Sequence, residues 1–192
     1  MKHHLKNFSH TLAPICRRGF LKLGAALAVT SMGSSLANAK TMQTSGERSL
    51  LLHNLHTGEI LNTVYWAEGQ YIPDALNEIN HILRDHRTDE SSQIDPLLVN
   101  LLHQIHTELD AKQPFQIISG YRSPTSNATL VATTAGVAKH SLHMDGKAID
   151  IRLPGYDLRQ LHQVAVAMRA GGVGYYPASD FVHIDVGRVR TW

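Results

Sequence analysis

The chain has 192 residues, with 18 Lys and Arg against 16 Asp and Glu, a formal net charge of +2, and a single cysteine, Cys16. Five of the basic residues and none of the acidic ones fall in residues 1–39, so the remainder carries 13 against 16, a net of −3, and its charge balance gives no reason to expect nucleic-acid binding. Beyond residue 39 there is no thiol, which excludes disulfides, thiolate metal ligands and a cysteine nucleophile.

Residues 1–39 read as an export signal. Lys2, Lys6, Arg17, Arg18 and Lys22 make a basic start. Arg17-Arg-Gly-Phe-Leu-Lys22 is a twin-arginine pattern, although Cys16 stands where Ser or Thr is usual. A small and apolar run from Leu23 to Met32 is well short of the ~20 residues that cross a bilayer. Ala37-Asn-Ala39 then fits an A-x-A cleavage site, so the expected mature chain begins at Lys40 and works in the periplasm. Residues 40–192 suit one domain with its own core, preceded by a loose polar leader over 40–48.

The expected elements follow in order. Strands over 49–55 and 59–66 flank His56-Thr57-Gly58 and read as a hairpin. After Pro73, residues 74–84 set Ala75, Leu76, Ile79, Ile82 and Leu83 on one helical stripe. Asp95-Pro96 supplies an N-cap and a first-turn proline for a helix over 96–110, with Leu97, Leu98, Leu101, Leu102, Ile105 and Leu109 inward. A strand over 115–119 and a weaker helix over 125–134 come next. A tight turn at 144–147 leads into a strand over 147–153. A helix over 158–170, capped by Asp157 and stopped by Gly171-Gly172, precedes strands over 172–176 and 181–186. The order predicts an α+β fold, an antiparallel sheet with helices packed on one side.

His143, Asp150 and His183 offer two imidazoles and a carboxylate, a ligand set for a catalytic zinc with its fourth position open. His143 and Asp150 are seven residues apart. On a helix that separation is about 10 Å, too far for one ion with bonds of roughly 2 Å. The segment is not helical by its pattern: Asp145-Gly146 breaks it, and 148–153 alternates with strand period. A loop carrying His143 and folding back on a strand carrying Asp150 would bring the two together, with His183 on a neighbouring strand. In a chain with 13 histidines, a His near an Asp also arises by chance. His53, His56, His81, His86, His103, His106 and His162 read as surface or helix-face residues.

Four motifs occur together: Ser119-Gly-Tyr-Arg-Ser123, His143-x-x-Gly146-x-Ala148-x-Asp150, Gly171-Gly-Val-Gly-Tyr-Tyr-Pro177 and Phe181-Val-His-Ile-Asp185. In this order they resemble the YcbK-like (MepK-type) murein endopeptidases, within the wider group of zinc D-Ala-D-Ala carboxypeptidases and LAS-type peptidoglycan peptidases. Leu55-His-Thr-Gly-Glu59 and Val137-Ala-Lys139 extend the similarity over nearly the whole mature chain. The resemblance implies that fold, one zinc ion on His143, Asp150 and His183, and peptidoglycan stem peptides as the partner. It also implies that Arg122 faces the scissile carbonyl and that Asp180, three positions before the last ligand, is the general base.

Geometry restricts that last assignment, since residues i and i+3 of a regular strand face opposite ways. Asp180 can serve only from the loop before the strand. Asp185, at i+2 from His183, shares its face and suits a partner for the histidine ring or an alternative base. His140 is a third candidate base. The Gly171–Gly174 run follows a helix and precedes a strand, the reverse of a dinucleotide-binding turn. Of Tyr175 and Tyr176, one ring is expected inward and the other toward a groove. Rival readings are a carboxypeptidase trimming stem peptides and a binding module with a structural or vacant metal site. A structural zinc takes four protein ligands and only three fit here. A serine hydrolase is disfavoured by the lack of a G-x-S-x-G elbow.

Overall fold

The structure, a computed structural model, describes residues 46–134 and 136–192. The signal expected over 1–39 and most of the leader expected over 40–48 lie outside the described residues. Eight strands make one sheet: β1 (Arg48–Asn54), β2 (Ile60–Ala67), β3 (Gln70–Tyr71), β4 (Phe115–Ser119), β5 (Ala148–Arg152), β6 (Gly172–Tyr176), β7 (Phe181–Asp185) and β8 (Arg190–Thr191). Their spatial order is β3-β2-β1-β4-β5-β7-β6-β8. The four α-helices are α1 (Pro73–Ile82), α2 (Pro96–Glu108), α3 (Pro124–Thr133) and α4 (Leu158–Met168).

The helix starts follow from capping. Asp95 accepts from Leu97 N–H and Asp157 from Arg159 N–H, each satisfying a donor the first turn leaves free. Pro73, Pro96 and Pro124 occupy first-turn positions, where a missing N–H costs nothing. The end of α4 differs from expectation. Arg169 takes the left-handed conformation (φ 51°), so the helix stops before the glycine pair. Gly171 is needed for another reason, because a Cβ there would stand 1.8 Å from the Asp185 carbonyl oxygen.

The expected antiparallel sheet is corrected to a mixed one. β1 pairs with β4, and β6 with β8, in parallel; the other five pairings are antiparallel. The cause is connectivity. Between β3 and β4 the chain runs through α1 and α2, and such a crossover returns it to β1 in the same direction. β3 and β8 have two residues each, too short for a legible alternation.

Strand alternation gives the sheet two different faces. Leu50, Leu52, Phe115, Ile117, Ile149, Ile151, Val182 and Ile184 are buried on one. They join Leu98, Leu102 and Ile105 of α2 and Leu161 and Ala165 of α4 in a continuous core, whereas Leu97, expected inward, lies outside the buried stripe of α2 and is 63% exposed. Fully burying each aliphatic side chain contributes about 1.5–3 kcal/mol, which fixes the register of the central strands. The residues that alternate with these along the strands, Asp150 on β5 with His183 and Asp185 on β7, therefore face away from α2 and α4. α3 borders this second face: its buried residues are Ser126 and Asn127, and its Leu130 lines the cleft there. Helices are thus not confined to one side.

Candidate metal centre

Register brings the centre together. Asp150 and His183 are directly paired between β5 and β7, and Ser119 of β4 pairs with Asp150 on its other side. His143 comes from a short 3₁₀ turn (Leu142–Asp145) in place of the simple turn expected at 144–147. Ser141 caps that turn and Gly146 ends it at φ 65°, where a Cβ would also stand 2.1 Å from the Gln93 carbonyl oxygen. The turn folds His143 back over β5, as the broken pattern of the segment requires.

Three side-chain atoms converge. His183 Nδ1 lies 2.8 Å from Asp150 Oδ1, and His143 Nε2 lies 3.3 Å from each of them. The remaining ring nitrogens have other partners. His143 Nδ1 is 2.7 Å from the Gly120 carbonyl oxygen, and His183 Nε2 is 3.1 Å from Asp185 Oδ2. The Gly120 carbonyl can only accept, so His143 Nδ1 carries the proton of its neutral ring; His183 has a carboxylate oxygen at each nitrogen, and the tautomer with its proton on Nε2, toward Asp185, is the one that leaves Nδ1 free for an ion. The two nitrogens facing inward are then bare lone pairs, aimed at each other and at a carboxylate oxygen. Such a set repels itself unless a cation lies among its members. Donors bonded at roughly 2 Å in tetrahedral directions stand about 3.3 Å apart, so the spacing suits a metal ion of zinc's size. Among the described residues this is the one cluster of at least three His, Cys, Asp or Glu side chains that could hold a metal ion.

The electrostatics agree. Burial opposes ionisation of Asp150, yet the two imidazoles hold its carboxyl well below the usual carboxylate range. Burial likewise disfavours a charged His183, but hydrogen bonds to Asp150 and Asp185 reverse the effect and raise it above its ordinary value.

The centre opens into a cleft of about 710 Å³, lined by Arg122, residues 136–138 and 140–143, Tyr176, Phe181, Arg190 and Trp192 among others. The Arg122 guanidinium is mostly buried, with Nη2 3.7 Å from Asp150 Oδ2. Its hydrogen bonds are long, 3.4 Å to Asn127 Oδ1 and 3.5 Å to Ser119 Oγ, and its Nε has no partner. Burial lowers its pKa, with Asp150 opposing. It is a cation with donors to spare, facing the cleft.

The other expected site residues are spread. Asp185 is fully buried behind His183. His140 lines the cleft, mostly exposed, 3.5 Å from Asp145. Asp180 sits at φ 54° in the loop before β7, exposed, paired with Arg152 Nη1 at 2.7 Å and outside the lining of the cleft. Tyr175 packs on the core and Tyr176 faces the cleft.

Sequence reasoning missed one wall of the cleft. Trp192 packs on His183 with ring centroids 5.3 Å apart, its Nε1 donates to Tyr176 Oη at 2.7 Å, and Tyr176 stacks on Phe181 at 4.6 Å. The signal was present on β6. Gly172 and Gly174 share one strand face, and a Cβ at Gly174 would be 2.7 Å from the Trp192 ring. Two alternate glycines on a central strand mark something bulky lying across it.

A family model described as peptidoglycan L,D-endopeptidase MepK matches residues 42–192. The peptidoglycan L,D-endopeptidase MepK of Escherichia coli (strain K12) is 42% identical over 176 residues, covering 92% of this chain and 96% of that protein. A probable peptidoglycan L,D-endopeptidase MepK of Haemophilus influenzae is 37% identical over 178 residues, covering 92% and 95%. With a family match over residues 42–192 and relatives of this identity covered over more than nine-tenths of their length, the chain belongs to the MepK family of peptidases.

Proposed function

We propose that the chain is a zinc-dependent murein endopeptidase, exported by the twin-arginine route as residues 40–192 and acting in the periplasm on peptide cross-links between stem peptides. The observation that carries this reading is the convergence of three inward-facing donor atoms at the floor of an open cleft. Three protein donors leave a coordination position for solvent or substrate, as catalytic rather than structural zinc sites do. The L,D-endopeptidase description of the family and of its relatives supports an L,D cross-link as the bond cut.

When bound, zinc supplies Lewis acidity, polarising a carbonyl and making water a nucleophile near neutral pH. His143, Asp150 and His183 would hold it. The Gly120 carbonyl and Asp185 keep the two rings in the tautomers that present bare nitrogens. Arg122, with unspent donors beside Asp150, takes the negative charge that develops on the scissile carbonyl oxygen. Proton transfer needs a group in the cleft that accepts a proton from the attacking water and returns it to the leaving amine. His140 is better placed for this than Asp180, because it lines the cleft while Asp180 is engaged by Arg152.

The test is cleavage of defined cross-linked muropeptides by purified 40–192, with products read by mass spectrometry. A chelator abolishes cleavage and added zinc restores it. Cleavage that persists in chelator overturns the metal reading, and release of terminal D-alanine alone overturns the endopeptidase reading.

A further inference from the structure

The donors around Asp185 extend the centre to a residue that no motif marked. Asp185 is fully buried, and its carboxylate receives five hydrogen bonds. Oδ2 accepts from His183 Nε2 at 3.1 Å and from Arg190 Nη2 at 2.7 Å. Oδ1 accepts from Arg190 Nη1 at 3.1 Å, Gly172 N–H at 3.0 Å and Gly187 N–H at 2.8 Å. Arg190 is thus a two-pronged clamp on the carboxylate that receives the His183 proton. It is the only charged donor to Asp185 besides His183 itself among the described residues.

The surrounding sequence is shaped to admit this clamp. Arg190 reaches Asp185 from β8, which pairs with β6 so that Gly172 and Arg190 are partners. A Cβ at Gly172 would stand 2.3 Å from Arg190 Nη1 and 2.5 Å from Asp185 Oδ2, so only glycine leaves room for both. The guanidinium also lies 4.8 Å from the centre of the Trp192 ring, and Trp192 in turn packs on His183. His183 is bracketed by a carboxylate at its Nε2 edge and an indole against its ring, and Arg190 touches both brackets.

We infer that Arg190 is a positioning residue for the metal centre: through Asp185 it fixes the ring orientation and tautomer of His183, and so sets the affinity for a divalent cation. This deepens the metal reading above and rests on it. Without the guanidinium, the buried carboxylate keeps its two backbone donors, both on Oδ1, and loses the donor that holds Oδ2 in line with His183. The ring is then free to turn, or to move its proton to the nitrogen that must face the ion.

The experiment measures zinc affinity by competition with a chromogenic chelator on the full chain, for wild type, Arg190→Gln, Arg190→Lys and His143→Ala. His143→Ala, which removes a donor, calibrates the metal reading. Arg190→Gln is expected to weaken zinc by roughly 10–100-fold, the range for lost partners of a ligating histidine. Arg190→Lys recovers part of that, since a lysine restores the charge but not the fork. A metal-independent readout accompanies it. In ¹⁵N-histidine spectra of the metal-free chain in alkaline buffer, the share of His183 that carries its proton on Nε2 is lower in Arg190→Gln than in wild type.

Should Arg190→Gln fail to fold by circular dichroism, Gly172→Ala, which crowds the clamp from the other side, replaces it. If Arg190→Gln binds zinc within twofold of wild type while His143→Ala does not, the inference about Arg190 is wrong and the metal reading survives. If His143→Ala binds zinc as wild type does, both fall.

Discussion

His183 and Asp150 sit opposite one another on β7 and β5, with His183 Nδ1 2.8 Å from Asp150 Oδ1. The contact is a consequence of sheet register, which the apolar residues on the other face of the same strands enforce. Ile149 pairs with Ile184 and Ile151 with Val182, all buried, so a one-residue slip would expose them while pulling the two polar groups apart. The core thereby holds the centre in place without touching it.

From this arrangement His183→Ala and His143→Ala are each expected to lose zinc and murein cleavage together while keeping the fold. The apolar core lies on the other face, so both variants should fold, His183→Ala with a lower melting temperature in metal-free protein because Asp150 and Asp185 lose their shared partner. Zinc content by elemental analysis, measured with activity on the same preparations, checks this. Full activity in a zinc-free variant would overturn the assignment.

Arg122→Ala should separate binding from turnover. The residue touches Asp150 only at 3.7 Å, so zinc content should stay near wild type. Turnover should fall about 100-fold, the order lost when one oxyanion donor is removed. A drop confined to KM would instead make Arg122 a contact for the ground-state substrate.

Metal-free and zinc-loaded protein should respond to pH with opposite signs. In the metal-free chain, Asp150 and Asp185 raise His183 above its ordinary 6.5. That stabilisation is complete below about 6.5 and is lost as pH rises through the raised folded value. Zinc requires the same nitrogen unprotonated, so its affinity should fall as pH drops through that value. Melting curves with chelator and with excess zinc across pH 5–9 test the pair of slopes, and parallel slopes would contradict it.

The proton acceptor is decided by comparing His140→Ala with Asp180→Ala. Asp180 is exposed and occupied by Arg152, so its loss should change turnover less than twofold. His140 lines the cleft, and its loss should lower turnover by about 10²-fold or more, the usual range for a general base. The reverse ranking would return the role to Asp180 and require that it leave Arg152 during the reaction.

How much of this was legible in the sequence depended on the range of the signal. Strand period 2 and helix stripes located β1, β2, β4 to β7 and α1 to α4 to within two residues, because each is set by its own residues. The convergence of His143, Asp150 and His183 could be argued from the broken pattern at Asp145-Gly146. The ring partner of His183 was legible too, since Asp185 at i+2 shares its face; that of His143 was not, because the Gly120 carbonyl comes from elsewhere in the chain. Parallel pairing of β1 with β4 was hidden, since it follows from how two helices close a crossover. β8 was hidden as well, because two residues carry no period. Arg190 and Trp192 could be sensed only as the empty space left by Gly172 and Gly174. Asp180 was placed by motif spacing alone, and spacing says nothing about a neighbour such as Arg152 that competes for the carboxylate.

A last prediction concerns Asp85, which no motif marked. It is buried, and its carboxylate accepts from Ser123 N–H at 2.8 Å and Arg87 N–H at 3.0 Å. Ser123 follows Arg122 directly and caps α3, so this one carboxylate ties the loop after α1 to the segment that aims the guanidinium. Burial alone would raise the Asp85 pKa. Hydrogen bonds from Ser126, Ser123 and the Arg87 backbone outweigh it and bring the group down to about 2. Its contribution to stability is therefore present above its unfolded value near 3.8 and lost as pH falls toward 2. Asp85→Ala strands buried N–H donors and should cost about 1–3 kcal/mol. Asp85→Asn retains a single acceptor oxygen and should cost less. Both should keep zinc, since the three residues proposed to hold it lie on other elements, and both should lower turnover by loosening Arg122. If denaturant melts at neutral pH show the expected loss but turnover is untouched, Asp85 only holds the fold. If the loss persists unchanged as pH falls toward 2, where the wild-type carboxylate is itself taking up its proton, the electrostatic account of its role is wrong.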